Sequence, residues 1–334
     1  MNDARKTRAP SDQTGVRAIL FDSQGADRAL ATLSEVDASN LSETQLLWID
    51  VADVDSLGPL TKTLSLPEGA LASVASGETS PILRNGGKYF WLRVVAVTVE
   101  DGLRFQGTSL TIIGGDNLVV SVHADPLSFI EELRKREEGD SDLGSLSSAS
   151  FIVALLDWHL STYFEAVADF ELAVDRLEES ILSEKRLDCL EDLRTLRKGA
   201  SRLRRMLAPH RTVFAGLARP DFRPTEEQQA NEHFLSLDTR FERAMDMVEN
   251  SRDLVIGSFE LFSSQTALKT NDTMRVLTFA TVVIGLLAVL AGVLGMNFDA
   301  PFFRSAGTGF WLAVAIMATL AIAAVLVGKR KHWL

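Results

Sequence analysis

Residues 274–298 read MRVLTFATVVIGLLAVLAGVLGMNF, and this stretch decides the fold. The 21 residues from Val276 to Met296 carry no charge. At helical rise they extend about 31 Å, the thickness of one bilayer core. A second uncharged run follows at Phe310–Val327, and Lys329-Arg330-Lys331-His332-Trp333-Leu334 comes after it. A large polar body thus precedes one tight hairpin of two predicted membrane spans.

The flanking charges set the expected topology. Lys269 and Arg275 lie before the first span and Lys329, Arg330 and Lys331 after the second, whereas the connecting loop holds only Asp299 and Arg304. Positive residues stay inside, so both termini are expected in the cytoplasm and the loop outside, in the inner (plasma) membrane. The N-terminal MNDARKTRAPSDQTG lacks an apolar core, so no signal peptide is expected. The single cysteine, Cys189, excludes an internal disulfide and reads as a helix residue of a reducing compartment.

With 334 residues and a net charge of −11, the chain has room for about two domains and is a poor partner for nucleic acid. An acidic body beside a membrane suits cations better. Signatures of soluble enzymes are missing: no Gly-x-Gly-x-x-Gly, P-loop, Gly-x-Ser-x-Gly or His-Glu-x-x-His occurs. The five histidines, His123, His159, His210, His233 and His332, have no paired ligand spacing and read as core or surface residues. The expectation is a protein that is not an enzyme and holds no organic cofactor.

Upstream of the hairpin, residues 1–15 read as a disordered tail and residues 16–140 as an α/β domain. VRAILFD, QLLWIDV, KYFWLRVVAVTV, SLTIIG and NLVVSVH have the β-branched and aromatic content of strands. Asp27–Leu33, Asp55–Leu66 and Glu68–Ser76 read as helices. A Ser/Gly linker, Gly139–Ser148, leads into a long-helix stalk over residues 149–272. There Val153, Leu156, Leu160, Tyr163, Val167, Phe170, Val174, Leu177 and Ile181 keep 3-4 spacing along one coiled-coil-like helix. A second helix carries Leu193, Leu196, Ala200, Leu203 and Leu207 and is expected to close before Pro209. A third starts near Thr225, shows Phe234, Leu237, Phe241, Ala244 and Val248, and meets no proline before Pro301. It is expected to run unbroken to Asn297, about 110 Å. The first span then covers 273–297, the outer loop 298–308, the second span 309–328 and the basic tail 329–334. Acidic side chains along the first long helix, Glu165, Asp169, Glu171, Asp175, Glu178 and Glu179, read as a solvated face, with a divalent-cation site between subunits as the other reading.

Within the first span, Asn271, Met274, Thr278, Thr281, Gly285, Ala288, Gly292 and Gly295 recur at 3-4 spacing and are nearly all small or polar. Such a stripe marks either close helix packing or the lining of a pore shared by several copies, since one two-span hairpin encloses nothing. Asn297 tips the balance. An amide oxygen at the outer helix end is neutral, and a ring of them accepts hydrogen bonds from the water shell of a hydrated Mg²⁺ without stripping it.

The placement of Gly295-Met296-Asn297 resembles that of the CorA family of two-span divalent-cation channels. Asn271-Asp272-Thr273-Met274-Arg275-Val276-Leu277-Thr278 is similar to the family's Asn-Glu-x-Met-Lys-Val-Leu-Thr, and the Lys329–Leu334 tail to its basic ending in Trp-Leu. The α/β domain, Leu155-Leu156-Asp157 and Leu203–Arg211 fit more loosely, so the resemblance spans residues 45–334 and is specific from 271 on. It implies an α+β membrane protein forming a funnel-shaped homopentamer in the lipid bilayer. Mg²⁺ is implied as transported and as regulatory ion, with Co²⁺ and Ni²⁺ as further substrates. Gly295, Met296 and Asn297 are implied as the outer selectivity ring, Leu277 as an inner constriction and Asn271 as a polar ring below it. Thr281, Gly285, Ala288 and Gly292 are implied as pore lining, and Glu260 as an acidic group facing the axis. Three departures stand out. Gly285-Leu286 replaces the family's bulky gate residue and proline, Ala288 replaces a polar threonine, and Asp299 is the one acidic residue near the mouth. A ZntB-type zinc transporter is the alternative within transport, and Met296, where that branch carries Val, favours Mg²⁺. A membrane-anchored coiled-coil scaffold is the reading from another class, and the stripe and Asn297 speak against it.

Overall fold

The computed structural model describes residues 15–30, 32–36, 38, 40–100, 103–136, 146–183, 189–222, 228–296 and 306–331. The chain divides into two compact units, Met1–Glu179 with Leu187–Ser258, and Ser180–Arg186 with Phe259–Leu334.

In the first unit, β1 (Val16–Asp22), β2 (Arg28–Leu30), β3 (Gln45–Val51), β4 (Ile82–Asn85), β5 (Phe90–Glu100), β6 (Arg104–Gly114) and β7 (Leu118–His123) make one sheet, ordered β2-β1-β3-β7-β6-β5-β4. Only β3 and β7 pair in parallel. They lie at its centre and are buried on both faces, which is why QLLWIDV and LVVSVH are almost continuously apolar. One face of the sheet packs Leu47, Ile49, Val51, Val120 and Val122 with α1 (Leu57–Leu64) and α2 (Glu68–Ala75), through Leu60, Leu64 and Ala70.

The other face is covered by α3 (Ser128–Arg136), α4 (Ser148–Leu182), α5 (Leu190–Leu207), α6 (Arg211–Leu217) and the first part of α7 (Gln228–Leu294). Phe151 of α4 sits against Phe21 and Trp48, with ring centroids 5.9 and 5.5 Å away. Glycine lets this helix approach the sheet: a β-carbon built at Gly114 would lie 2.6 Å from Ile152 Cδ1 and 2.7 Å from Phe90 Cε1. Phe214 of α6 stacks on Phe241 of α7 at 4.8 Å, and Arg240 of α7 meets Asp157 of α4 at 3.0 Å.

Strand β4 pairs only with Phe90–Arg93 of β5, so the outer edge of β5 beyond Arg93 lacks a strand neighbour. Helix side chains occupy it instead. The Val95 N–H donates to His210 Nε2 at 2.8 Å, the Val95 carbonyl accepts from His159 Nε2 at 2.9 Å and Tyr163 Oη at 2.7 Å, and the Val97 N–H donates to Thr162 Oγ1 at 3.2 Å. A buried backbone group left unpaired is costly, so these helices are keyed to the strand they cover. His210 must keep its proton on Nδ1, which faces the Leu207 carbonyl at 3.1 Å. His159 takes the opposite tautomer, and its buried Nδ1 has no partner among the described residues. Burial holds the pKa of His159 down to about 4, and burial together with the nearby His159 ring holds that of His210 at about 3.

Two expectations are corrected. Asp27–Leu33 is not a helix: Arg28–Leu30 pairs antiparallel with Leu20–Ala18 of β1, and a single 3-10 turn follows at Leu33–Glu35. The pairing of a short edge outweighs local propensity there. The second helix closes at Leu207, before Pro209 as expected, and a 3-10 turn at Ala208–His210 carries the chain into α6. The proline sits in the first turn, where a missing N–H costs nothing. Cys189, expected within a helix, is buried on the residue preceding α5. The tail at 1–14, linker residues 139–145 and the expected helix start at Thr225 lie outside the described residues.

In the second unit the continuation of α7 and α8 (Ala306–Arg330) are each long and apolar enough to cross a membrane.

Candidate functional site: the uncovered face of the long helix

Helix α7 keeps its 3-4 apolar period throughout, but the fate of the periodic face changes along it. From Phe234 to Ser258 that face is buried: Phe234, Leu237, Phe241, Ala244, Val248, Ser251, Val255 and Ser258. Its polar members are satisfied inside the chain. The Ser251 hydroxyl donates to the Met247 carbonyl at 2.9 Å. The Ser258 hydroxyl has one proton to share between the Glu178 carboxylate at 2.7 Å and the Leu254 carbonyl at 2.9 Å.

From Phe259 to Met296 no residue is fully buried. Two faces can still be told apart. Phe279, Ala280, Val283, Leu287, Leu290 and Leu294 are half-buried at 3-4 spacing. On α8, Gly309, Ala313, Met317, Ala321 and Ala324 are half-buried and Gly328 is buried, again at 3-4 spacing. These two rows, large residues on the first span and mostly small ones on the second, are the least exposed faces of the two spans and mark the seam of the hairpin.

The small and polar row lies elsewhere. Asn271, Met274, Thr278, Thr281, Gly285, Ala288, Gly292 and Gly295 are all exposed. At about 100° per residue their mean direction points roughly 170° from that of the seam. Among the described residues nothing outside the local helix backbone comes within 4 Å of a β-carbon built at Gly285 or Gly292. Leu277, at the edge of the same row, is 60% exposed, and Glu260 lies exposed further toward the body. The row is therefore not the packing surface of the hairpin, which its sequence had left open.

Its hydroxyls are polarised in one sense. Thr278 Oγ1 donates to the Met274 carbonyl at 2.7 Å and Thr281 Oγ1 to the Leu277 carbonyl at 2.8 Å. With their protons committed to the backbone, both oxygens keep lone pairs for donors such as water. The helix closes on Gly295, whose N–H donates to Ala291 and Gly292 carbonyls at 2.9 and 3.2 Å, and on Met296, whose N–H donates to the Val293 carbonyl at 3.3 Å. The carboxyl end of α7, the negative pole of its backbone dipoles, thus sits at Gly295-Met296. Asn297 and Asp299 lie outside the described residues.

Elsewhere the acidic row of α4 is mainly solvent-facing: Glu165, Asp169, Asp175 and Glu179 are exposed, Glu171 and Glu178 half-buried. Among the described residues no three His, Cys, Asp or Glu side chains gather as a metal site. His159, His210 and His123 are buried and His233 exposed, while His332 lies outside the described residues. Sequence reasoning missed the buried polar chain around His123, because its partners Asp50, Ser121 and Trp48 come from two strands and only their spatial register joins them.

An α/β body whose last helix continues into an apolar stretch, followed by a second apolar helix, defines a protein with two candidate membrane spans. The family described as CorA-like Mg2+ transporter protein matches residues 43–330, and the chain belongs to that family, whose members transport divalent cations. It is 28% identical over 248 residues to the cobalt/magnesium transport protein CorA of Thermotoga maritima, covering 74% of this chain and 70% of that one. To the divalent cation transporter CmaX of Pseudomonas aeruginosa it is 28% identical over 329 residues, 97% of this chain and 98% of that one. The zinc transport protein ZntB of Pectobacterium atrosepticum matches at 23% over 334 residues, 96% of each. The complete structure of the CorA magnesium transporter of Methanocaldococcus jannaschii superposes with a TM-score of 0.73, covering 95% of this chain and 98% of that one at 21% identity, a likeness of fold.

Proposed function

We propose that the chain forms a homopentameric channel that conducts Mg²⁺, with Co²⁺ and Ni²⁺ as further substrates, across the inner membrane into the cytoplasm. The observation that carries this reading is the polar row of α7, uncovered and turned away from the hairpin seam. Five copies with that row inward leave the seam and its apolar flanks toward neighbours and lipid. They surround an axis with hydroxyls, glycines and an amide. Small side chains leave room for an ion with its water, and hydroxyl lone pairs accept hydrogen bonds from that water. The hydrated ion is first met by the Gly295-Met296-Asn297 ring, beside the negative helix ends, with Asp299 as the acidic group at the mouth. Going inward it passes Gly292, Ala288, Gly285 and Thr281, then Leu277 as the hydrophobic closure, and below it Asn271 and Glu260. Lys269 and Arg275 before the first span and Lys329, Arg330 and Lys331 after the second favour cytoplasmic termini. Cytoplasmic Mg²⁺ bound between subunits is the proposed closing signal.

The experiment is Mg²⁺ flux into proteoliposomes carrying Asn297→Ala, with the oligomer counted by native mass spectrometry. Loss of at least 90% of the flux with an intact pentamer is expected. Undiminished flux would sink the role of Asn297. A second reading, zinc transport, is favoured by the full-length similarity to ZntB. It predicts Zn²⁺ flux exceeding Mg²⁺ flux and responding to a proton gradient.

A further inference from the structure

Under the sheet face that α3 covers lies a polar chain unconnected with the membrane helices. Arg17, Asp50 and Ser121 are register partners across β1, β3 and β7 and share one face. Trp48 Nε1 donates to Ser121 Oγ at 3.0 Å, and Ser121 Oγ donates to Asp50 Oδ1 at 2.5 Å. His123 Nε2 stands 3.3 Å from Asp50 Oδ1 and 3.4 Å from Oδ2, and its Nδ1 stands 2.8 Å from the Asp125 carbonyl. Asp50, Ser121 and His123 are all buried.

Both ring nitrogens of His123 therefore face acceptors, a carboxylate on one side and a carbonyl on the other. A neutral imidazole has one N–H and can serve only one of them, whereas an imidazolium serves both. Asp125 stands at the turn that leads from β7 into α3, and α3 returns to the same cluster through Glu131, whose Oε1 accepts from Arg17 Nη1 at 3.2 Å. The charged groups facing His123 are thus Asp50 from β3, Glu131 from α3 and, through Glu131, Arg17 from β1. Leu110, its register partner on β6, is uncharged.

We propose that His123 and Asp50 form a pH-sensitive latch that fastens α3 and the end of β7 to the sheet. Protonated, His123 donates to Asp50 and to the Asp125 carbonyl together. When the proton leaves for solvent, the shorter Nδ1 contact keeps the remaining hydrogen, and the Nε2 lone pair is left against the Asp50 carboxylate. The two acceptors repel, and the β7–α3 junction loosens.

Burial alone lowers the pKa of His123. The Asp50 hydrogen bond and charge, the Asp125 carbonyl and Glu131 outweigh it, leaving the pKa above the ordinary 6.5. The stabilisation is then whole below pH 6.5 and is lost as pH rises through the elevated value. Alkaline shift is the opening signal. The latch does not depend on the transport reading.

Hydrogen–deuterium exchange of the full-length protein in nanodiscs tests it, read on amides of α3 between pH 6 and 9 after correction for the intrinsic rate. Protection in α3 should fall at least tenfold across this range, while that of α2, on the opposite face, stays level. In His123→Gln, which has no proton to lose, the α3 dependence should vanish. Level α3 protection in the wild type overturns the latch without recourse to any variant, and so does an unchanged pH slope in His123→Gln.

Discussion

The two halves of α7 have the same apolar period and opposite surroundings. From Phe234 to Ser258 the periodic face is mainly phenylalanine, leucine and valine, with Ala244, Ser251 and Ser258 among them, and disappears into the chain's own core. From Asn271 to Gly295 the polar row is built of glycine, alanine, threonine and asparagine with one methionine, and it stays exposed among the described residues. Each buried large apolar side chain is worth about 1.5–3 kcal/mol, so the first face holds the body together. The second contributes nothing of that kind within one chain. Period alone therefore identifies a helix face but not what covers it. On α7 the mostly large faces are the ones withdrawn from solvent, while the small and polar row stays exposed.

The largest effect expected from this difference is on flux. In Gly292→Leu, a side chain is added where the chain itself has open space. Folding of the single chain is unaffected and helix propensity improves slightly, but five leucines would narrow the proposed axis. Mg²⁺ flux in proteoliposomes should drop more than tenfold with the pentamer recovered. Val293→Leu, on a flank where Val293 is 52% exposed, should stay within about twofold, as expected of lipid-facing surface substitutions. Equal losses in the two variants would mean that the row has no special role.

The converse substitution probes the body. Phe241 is fully buried and stacked on Phe214 with the rings 16° from parallel. Phe241→Ala should destabilise the body by about 3–5 kcal/mol, measured as a lowered urea midpoint of the intrinsic tryptophan signal. Flux per folded channel at low temperature should change little. If the stability loss were below about 1 kcal/mol, the buried half of α7 would not be the strut its packing suggests.

Much of this architecture could be read from residue patterns, because it rests on local periodicity. The central strands at Val16–Asp22 and Gln45–Val51, helices α1 and α2, the seam of α4 and the long α7 all appear where apolar spacing placed them. The misses have a common cause. Strands β2 and β4 are three and four residues long and owe their form to a neighbouring strand. Helix α3 is largely charged and is held by Phe129, Ile130 and Leu133, too short a run to announce itself. Helix α6 hid behind Pro209. The candidate site was legible as a stripe and ambiguous as a surface, since 3-4 spacing cannot say which side of a helix its partner takes. The histidine contacts were illegible altogether: His210 and the Val95 N–H it accepts from are 115 residues apart.

Those contacts supply the smallest expected effect and the last difference between the halves. No group between Val276 and Met296 titrates, so mild acid should leave the hairpin untouched. The body should respond. Unfolded histidine takes up a proton below about pH 6.5, whereas folded His159 and His210 resist until about 4 and 3. The unfolded state binds more protons across this window, so stability falls with pH from 6.5 downward and levels off below the folded values. At pH 5 each histidine should account for about 2 kcal/mol. Protonation of His210 also removes the acceptor for the Val95 N–H, so acid detaches the helices from the edge of β5. Urea midpoints at pH 7 and pH 5 measure the slope. His210→Gln, which can still offer an acceptor but does not titrate, should roughly halve it. A slope unaltered by that substitution would place the acid sensitivity of the body outside the β5 edge.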